Sequence, residues 1–374
     1  KWFLMIRSKQ MASWWMDLGQ IRFDRPVLII LFIMISTGLL LIYSAGEQNI
    51  GLVDRQAIRY VIGLIAMFIA AAIPRALYFK WIPLIYISNN LLLSLVLLIG
   101  HVGKGAQRWI HLGPIQFEPS EFTKIILPLT LGFYLHHKTL PLSGKSLIGA
   151  LMIMICPILL IAKQPDLGTA TMLLVICSST LFVAGLPWRT MGVTLISLLS
   201  LCPFIWHFMH TYQKKRIITF LYPENDPMGA GYHIIQSKIA IGSGGLLGKG
   251  LLQGTQAHLQ FLPEHTTDFI FSLCAEEFGF VGCLLLLMIY VSLSLRILYL
   301  SYYNQDTFAR LVTATIAMIL FFSALINIGM VSGLFPVVGL PLPLLSYGGS
   351  SMITLMIAIG LCFSLTKQRK LMES

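Results

Sequence analysis

The sequence predicts an all-α integral membrane protein with ten transmembrane helices and one long extracytoplasmic loop between candidate helices seven and eight. Three observations predict it. The 374 residues are 56% hydrophobic and 11% charged, with a mean hydropathy of +0.80, a balance that suits a lipid-embedded chain better than a soluble domain. Apolar runs of spanning length recur along the whole chain. The basic residues, finally, gather on one side of those runs.

The runs fall at about 26–46, 57–74, 78–100, 120–136, 147–163, 168–186, 190–211, 268–296, 310–332 and 347–366. They divide the chain into a cytoplasmic N-terminal segment (1–25), one transmembrane domain (26–366) and a cytoplasmic tail (367–374). No cleavable signal pattern precedes the first run, and its length suits an anchor. Residues 1–10 are set aside as a trimmed start. Asn89 and Asn90 inside the third run read as interhelical hydrogen-bonders. The six cysteines stand singly in apolar segments, with no CxxC pair, and read as small buried hydrophobes.

Ten spans put both termini on one side. Fifteen of the 26 basic residues lie there, among them Arg22, Arg25, Arg75, Lys138, Arg296 and Arg310, against four acids: Asp17, Asp24, Asp306 and Glu373. The opposite side is balanced, so the whole net charge of +11 belongs to the terminal side, which the positive-inside rule makes cytoplasmic. Basic charge here reports orientation, and nucleic acid is excluded as a partner.

The opposite side carries the chemistry. Its long loop, about 212–267, opens on Lys214, Lys215 and Arg216. It continues through an amphipathic stretch, 232–242, suited to the interface plane. The glycine run GSGGLLGKG (242–250) fails the phosphate-loop pattern and reads as a flexible turn. The loop ends in LQFLPEHTTDFIFSLCAEE (259–277), which sets Glu264, Asp268, Glu276 and Glu277 against a long apolar segment. Carboxylates at a membrane boundary are functional candidates by default. Thr266 or Thr267 is placed to cap the helix. Asp268, Ser272 and Glu276 then share one side, with Glu276 about 12 Å further along.

Three further constellations stand out. In EPSEFTK (118–124), Ser120 is a candidate N-cap, and Glu121 and Lys124 can pair at i, i+3. Just upstream, Lys104, Arg108 and Trp109 suit an anionic headgroup at an aromatic interface. In KQPDLG (163–168), Asp166 sits in so tight a turn that it should face protein or a cavity, with Lys124 as its partner. The fourth is 327–351, whose three prolines (Pro336, Pro341, Pro343) and four of whose glycines (Gly333, Gly339, Gly348, Gly349) make irregular backbone. Such backbone is tolerated at membrane depth where it is buried or lines a wet cavity, which Asn327, Ser346 and Ser350 are placed to line.

Together KGAQRW, PSEFTK, QPDLGT, DPMGAGYHIIQSKIAIGSGG, LPEHTTDFIF, AEEFG and GMVSGLFPVVGLPLPLLSYGGSS make the chain resemble the SEDS family (shape, elongation, division and sporulation) from about 26 to 366. The resemblance implies a peptidoglycan glycosyltransferase. It would polymerise lipid II at the outer face of the bacterial inner membrane during elongation and rod-shape maintenance. A class B penicillin-binding protein would crosslink the strands. The family's essential acid falls on Asp268, and its buried charge group on Glu121, Lys124 and Asp166. Members commonly carry His-Thr-Asp here; this chain has Thr266-Thr267-Asp268, with His265 displaced by one. No cofactor follows from the residues, and a divalent cation, Mg or Mn, is the one under consideration.

The chemistry fits the residues independently. A sugar hydroxyl must attack an anomeric carbon that carries a lipid diphosphate, a carboxylate must take its proton, and cations must steady the leaving group. Two other classes use similar parts. A flippase for lipid-linked precursors needs essential groups accessible from both faces, and the terminal side offers four scattered acids. A non-catalytic scaffold for a penicillin-binding protein would dispense with Asp268.

Overall fold

The computed structural model describes residues 23–366, apart from 104–105, 113–114, 139–141, 201–205, 208–210, 227–228 and 259–265. Lys104, Glu264, His265, Cys202 and both terminal segments therefore lie outside the described residues. The fold is a helical bundle: α1 (Arg25–Ala45), α2 (Ile50–Ala72), α3 (Arg75–Ile99), α4 (Pro119–Leu135), α5 (Gly144–Lys163), α6 (Leu167–Val183) and α7 (Trp188–Ser200), then α8 (Thr211–Leu221), α9 (Ala230–Ser243) and the single turn α10 (Thr255–His258), and finally α11 (Ile270–Tyr302), α12 (Thr307–Val331) and α13 (Ser350–Leu365). Six of these, α1, α2, α3, α5, α11 and α12, are long and apolar enough to cross a membrane, and α6 and α13 are shorter apolar helices.

One element departs from the all-α expectation. Within 101–117 three strands make a small antiparallel sheet, β1 (His101–Gly103), β2 (Ala106–Leu112) and β3 (Ile115–Phe117), in that order. The AQRWIHL stretch is thus a strand between two short partners, with Ile110 opposite Phe117.

Helix ends follow local chemistry. Asp24 caps α1, accepting from Val27 N at 3.1 Å, with Pro26 inside the first turn. Asn49 caps α2, whose first residue, Ile50, stands seven residues before the apolar run, because the first turns carry Asp54, Arg55 and Arg59. Ser143 and Asp306 cap α5 and α12 in the same way. Small residues let helices approach: Gly63 of α2 faces Met352 and Met356 of α13, and Gly360 of α13 lies on the Met67 carbonyl. Asn89 of α3 donates to Thr123 of α4 at 2.9 Å, the interhelical bond expected of it.

Antiparallel α1 and α11 are tied at both ends. Arg296 grips Asp24 with two bonds, 3.0 and 2.7 Å, and at the other end Ser44 donates to Glu277. Asp24 and Ser44 are twenty residues apart, about 30 Å of helix, which is the thickness of a hydrocarbon core. The two ties therefore stand about one hydrocarbon-core thickness apart. At the first end, the short turn between α11 and α12 is held to α3 by Arg75–Asp306 at 2.6 Å.

Near its far end α11 breaks at Gly279, whose φ of 65° and ψ of −163° are non-helical. The glycine run fills the break and is not a free turn. Phe280 N and Val281 N donate to the carbonyls of Gly245 (2.9 Å) and Leu246 (3.1 Å), while Lys249 N and Gly250 N donate to those of Glu276 and Glu277, both at 3.0 Å. The approach leaves no room for Cβ atoms: one at Gly244 would strike the Ala275 carbonyl, one at Gly248 the Glu277 carbonyl, and one at Gly279 the Gly248 nitrogen. The amphipathic 232–242 stretch is helical and anchored to the bundle. It is α9, packed on α11 and on the end of α12, with Ile234 and Ala240 buried and Ser237 donating to Val331 O at 2.7 Å.

Gly279→Ala should lower the thermal midpoint in detergent sharply. Its backbone region is nearly exclusive to glycine and strains other residues by about 1–3 kcal/mol, and the added methyl would also push out the 244–250 loop. Gly242→Ala, where nothing lies within 4 Å of the new Cβ, should melt like the parent.

Candidate functional site

At the far end of the bundle the chain runs irregularly from 332 to 349, between α12 and α13. Gly333 and Gly339 take φ of 73° and 72°, and Pro336, Pro341 and Pro343 prevent a helix. Side chains of the surrounding helices satisfy its carbonyls. Asn327 donates to Leu340 O at 2.6 Å, Tyr290 to Pro343 O, Tyr60 to Leu344 O at 2.6 Å and Gln56 to Ser346 O at 3.4 Å. Leu342 N donates to the Ser346 hydroxyl at 2.8 Å.

The same segment straps down residues 266–268. Tyr347 N donates to Thr266 O at 2.9 Å, the Ser346 hydroxyl to Thr267 O at 2.6 Å, and Asn327 to Asp268 O at 2.9 Å. Three consecutive carbonyls are thereby fixed, and Asp268 is half-buried against the irregular backbone: a Cβ at Gly339 would stand 3.5 Å from Asp268 Oδ2. The threonines serve through their backbone rather than as caps. Residues 266–269 form a turn, Phe269 is the N-cap of α11, and no side chain caps it. Ser346 is the polar anchor of the strap, a role other than the cavity lining its sequence context suggested.

Glu276 and Glu277 do not share the Asp268 side. Asp268 precedes the helix, so the i, i+4, i+8 alignment does not apply, and both glutamates hold the glycine loop. Glu276 accepts from Lys249 Nζ (2.6 Å), Thr255 N (2.8 Å) and Gln256 N (3.1 Å). Glu277 accepts from Ser44 and from Leu252 N at 3.0 Å. Arg216 lies half-buried on α8.

The second cluster lies at the start of α4. Lys124 Nζ stands 2.6 Å from Glu121, with both side chains buried. Asp166 does not take Lys124 as its ion-pair partner. It pairs with Arg108 of β2 at 3.3 Å and caps α6 through Thr169 N at 3.2 Å. The strand brings Arg108 over the turn, which a loop reading of 104–113 could not foresee; Trp109 is half-buried beside it. Ser120 is not the cap of α4 either. Glu118 is the N-cap residue, and the Ser120 hydroxyl donates to its carboxyl at 2.9 Å. Burial first, then the negative charges of Glu121 and Asp166, push the Glu118 carboxyl up to about 8, with Lys124 and Ser120 pulling the other way. With Glu118 protonated, two cations face two anions. Glu118 was missed, although three buried acids against two nearby bases is a mismatch visible from residues 108, 118, 121, 124 and 166. A cavity adjoins this cluster, lined by Glu121, Lys124, Ser323, Pro341, Pro343 and Ser351, so the charge group and the irregular segment share one space.

Arg59 is a further residue the sequence did not single out. Its guanidinium stacks on the Tyr347 ring at 4.1 Å and reaches Gln56 at 3.5 Å. Both partners belong to the network that holds residues 266–268.

Residues 24–371 match the model of the FtsW/RodA/SpoVE cell cycle proteins. The chain belongs to that family. It is 46% identical over 355 residues to the peptidoglycan glycosyltransferase MrdB of Escherichia coli K12, covering 95% of this chain and 96% of that one. The fold is similar to a chain of a peptidoglycan synthase complex that coordinates polymerization and crosslinking, with a TM-score of 0.81 and 34% identity over 94% of this chain and 99% of that chain. The rod shape-determining protein RodA of Thermus thermophilus follows at a TM-score of 0.71 and 30% identity, over 94% and 98% of the two chains.

Breaking the Glu121–Lys124 pair should leave a buried charge without its partner. Lys124→Met should therefore destabilise the family fold by about 3–5 kcal/mol, read as a lower melting temperature in detergent. Glu121→Gln/Lys124→Met, which removes both charges, should recover most of the loss.

Proposed function

We propose that this chain is a peptidoglycan glycosyltransferase that polymerises lipid II, with Asp268 as the general base. Its family membership and 46% identity to MrdB support the activity. The observation that carries the assignment of Asp268 is the three-bond strap on residues 266–268, which holds a carboxylate at the end of a spanning helix in one place. The acceptor hydroxyl gives its proton to Asp268 as its oxygen bonds the anomeric carbon of the donor, and the bond from that carbon to the lipid diphosphate breaks. Such a direct displacement inverts the anomeric centre. Arg59, stacked beside the strap and without an ion-pair partner among the described residues, offers positive charge for the leaving diphosphate.

Mg is generally held by one or two carboxylates together with substrate phosphates. Were an Mg or Mn ion bound, the residue here that could hold it beside substrate phosphates is Asp268, and the ion would supply positive charge to the leaving diphosphate. We place α1–α7 and α11–α13 as ten crossings of the bacterial inner membrane, with the termini cytoplasmic and 212–267 outside. The charge split and the 30 Å spacing of the α1–α11 ties support this orientation. A class B penicillin-binding protein is the partner, in keeping with the synthase complex whose chain this fold resembles.

Asp268→Asn keeps size and hydrogen bonding but cannot take the proton. Purified with the partner and given lipid II, it should stay folded while polymer falls by roughly 10²–10⁴-fold on a gel, the usual worth of a positioned base. Asp268→Glu should retain part of the activity. Near-normal polymer from the asparagine variant would remove Asp268 from the mechanism and favour a flippase or a scaffold.

A further inference from the structure

The glycine loop ends in a bare apolar tip. Leu246 and Leu247 are 73% and 81% exposed, more than most leucines of the chain. They lie beside Phe280 and Val281 of α11, 60% and 43% exposed, because these two residues donate their backbone N–H groups to the carbonyls of Gly245 and Leu246. The tip therefore continues the outward apolar face of a spanning helix. It also lies between the two α1–α11 ties: Phe280 and Val281 are three and four residues past Glu277, which is tied to Ser44, so they sit about 5 Å inside that span.

Irregular backbone is excluded from lipid because its polar groups find no partners there. This loop escapes that exclusion. Gly245 O and Leu246 O accept from α11, Gly248 N donates to Gly244 O at 2.8 Å, and Lys249 N and Gly250 N donate to α11 carbonyls. Its one cation, Lys249, is turned to the other side and neutralised on Glu276 at 2.6 Å. A tip with leucines outward, six backbone groups of its loop bonded and its charge paired is chemically a piece of membrane surface.

We infer that residues 244–250 form a re-entrant keel whose Leu246 and Leu247 insert among lipid acyl chains next to α11. The keel is spliced to the same helix whose start carries Asp268, so it fixes the depth of the acid relative to a lipid-anchored substrate.

Depth-dependent fluorescence quenching tests the keel. Leu247→Cys is placed in a variant lacking the six native cysteines and shown to melt as a folded protein, then labelled with NBD and reconstituted in phosphatidylcholine vesicles. Leu285→Cys on the outward face of α11 and Asn225→Cys in the loop serve as lipid and water controls. The keel predicts strong quenching by doxyl-phosphatidylcholine, close to that of the 285 probe, and little by iodide. Iodide quenching like that of the 225 probe would overturn it. So would shielding from both quenchers, which would mean that the tip is covered by protein, either a second copy or a partner chain. Leu246→Cys repeats the measurement if the first variant does not fold.

Discussion

A polar backbone cannot stand unpaired at membrane depth, and the far end of this bundle is organised by that constraint. The irregular 332–349 segment would be excluded from the slab on its own. It is admitted because Asn327, Tyr290, Tyr60 and Gln56, each on a different turn of α12, α11 or α2, reach its carbonyls. The same segment then supplies two of the three bonds that hold 266–268, and Asn327 supplies the third. The position of Asp268 thus follows from how the neighbouring backbone is satisfied. The splice at Gly279 answers the same constraint by a different route, exchanging backbone bonds between a broken helix and a glycine loop.

Buried charge is handled as strictly. Glu121 with Lys124 and Asp166 with Arg108 make two pairs, and Glu118, raised by burial and by its acidic neighbours, completes the group in its neutral form. Glu276 is paired with Lys249 and bonded to two backbone N–H groups. Buried ion pairs of this kind add little net stability and penalise the loss of one partner heavily, so they fix geometry more than they strengthen the fold.

Much of the bundle was legible because spanning helices announce themselves by length and apolarity: α3, α4, α5 and α12 lie within about three residues of their apolar runs. The start of α2 was not, since its first turns carry Asp54, Arg55 and Arg59 and hide a helix in a polar stretch. The 101–117 sheet was illegible because its strands of three and seven residues are too short for a period to show. Asp268, Glu121 and Lys124 could be picked out by the expense of a carboxylate or an ammonium beside lipid. Partners could not: Arg108 and Asp166 are 58 residues apart, and Gly248 meets Gly279 only once the loop has folded back. Pairing across such distances is settled by packing, which no local pattern reports.

In the proposed function Asp268 acts from a position imposed through its backbone. Asn327→Leu tests it most directly, since it keeps the size of the side chain and removes the bonds to Asp268 O and Leu340 O together. Lipid II polymerisation by the purified variant with its partner should slow by about 10- to 100-fold at saturating substrate, the scale expected when a reacting group shifts by an ångström. Folded yield should fall, since two carbonyls lose their donor, so the rate is taken per folded protein; lipid II affinity should change little. An unchanged rate at saturation, with the strap broken, would contradict the account.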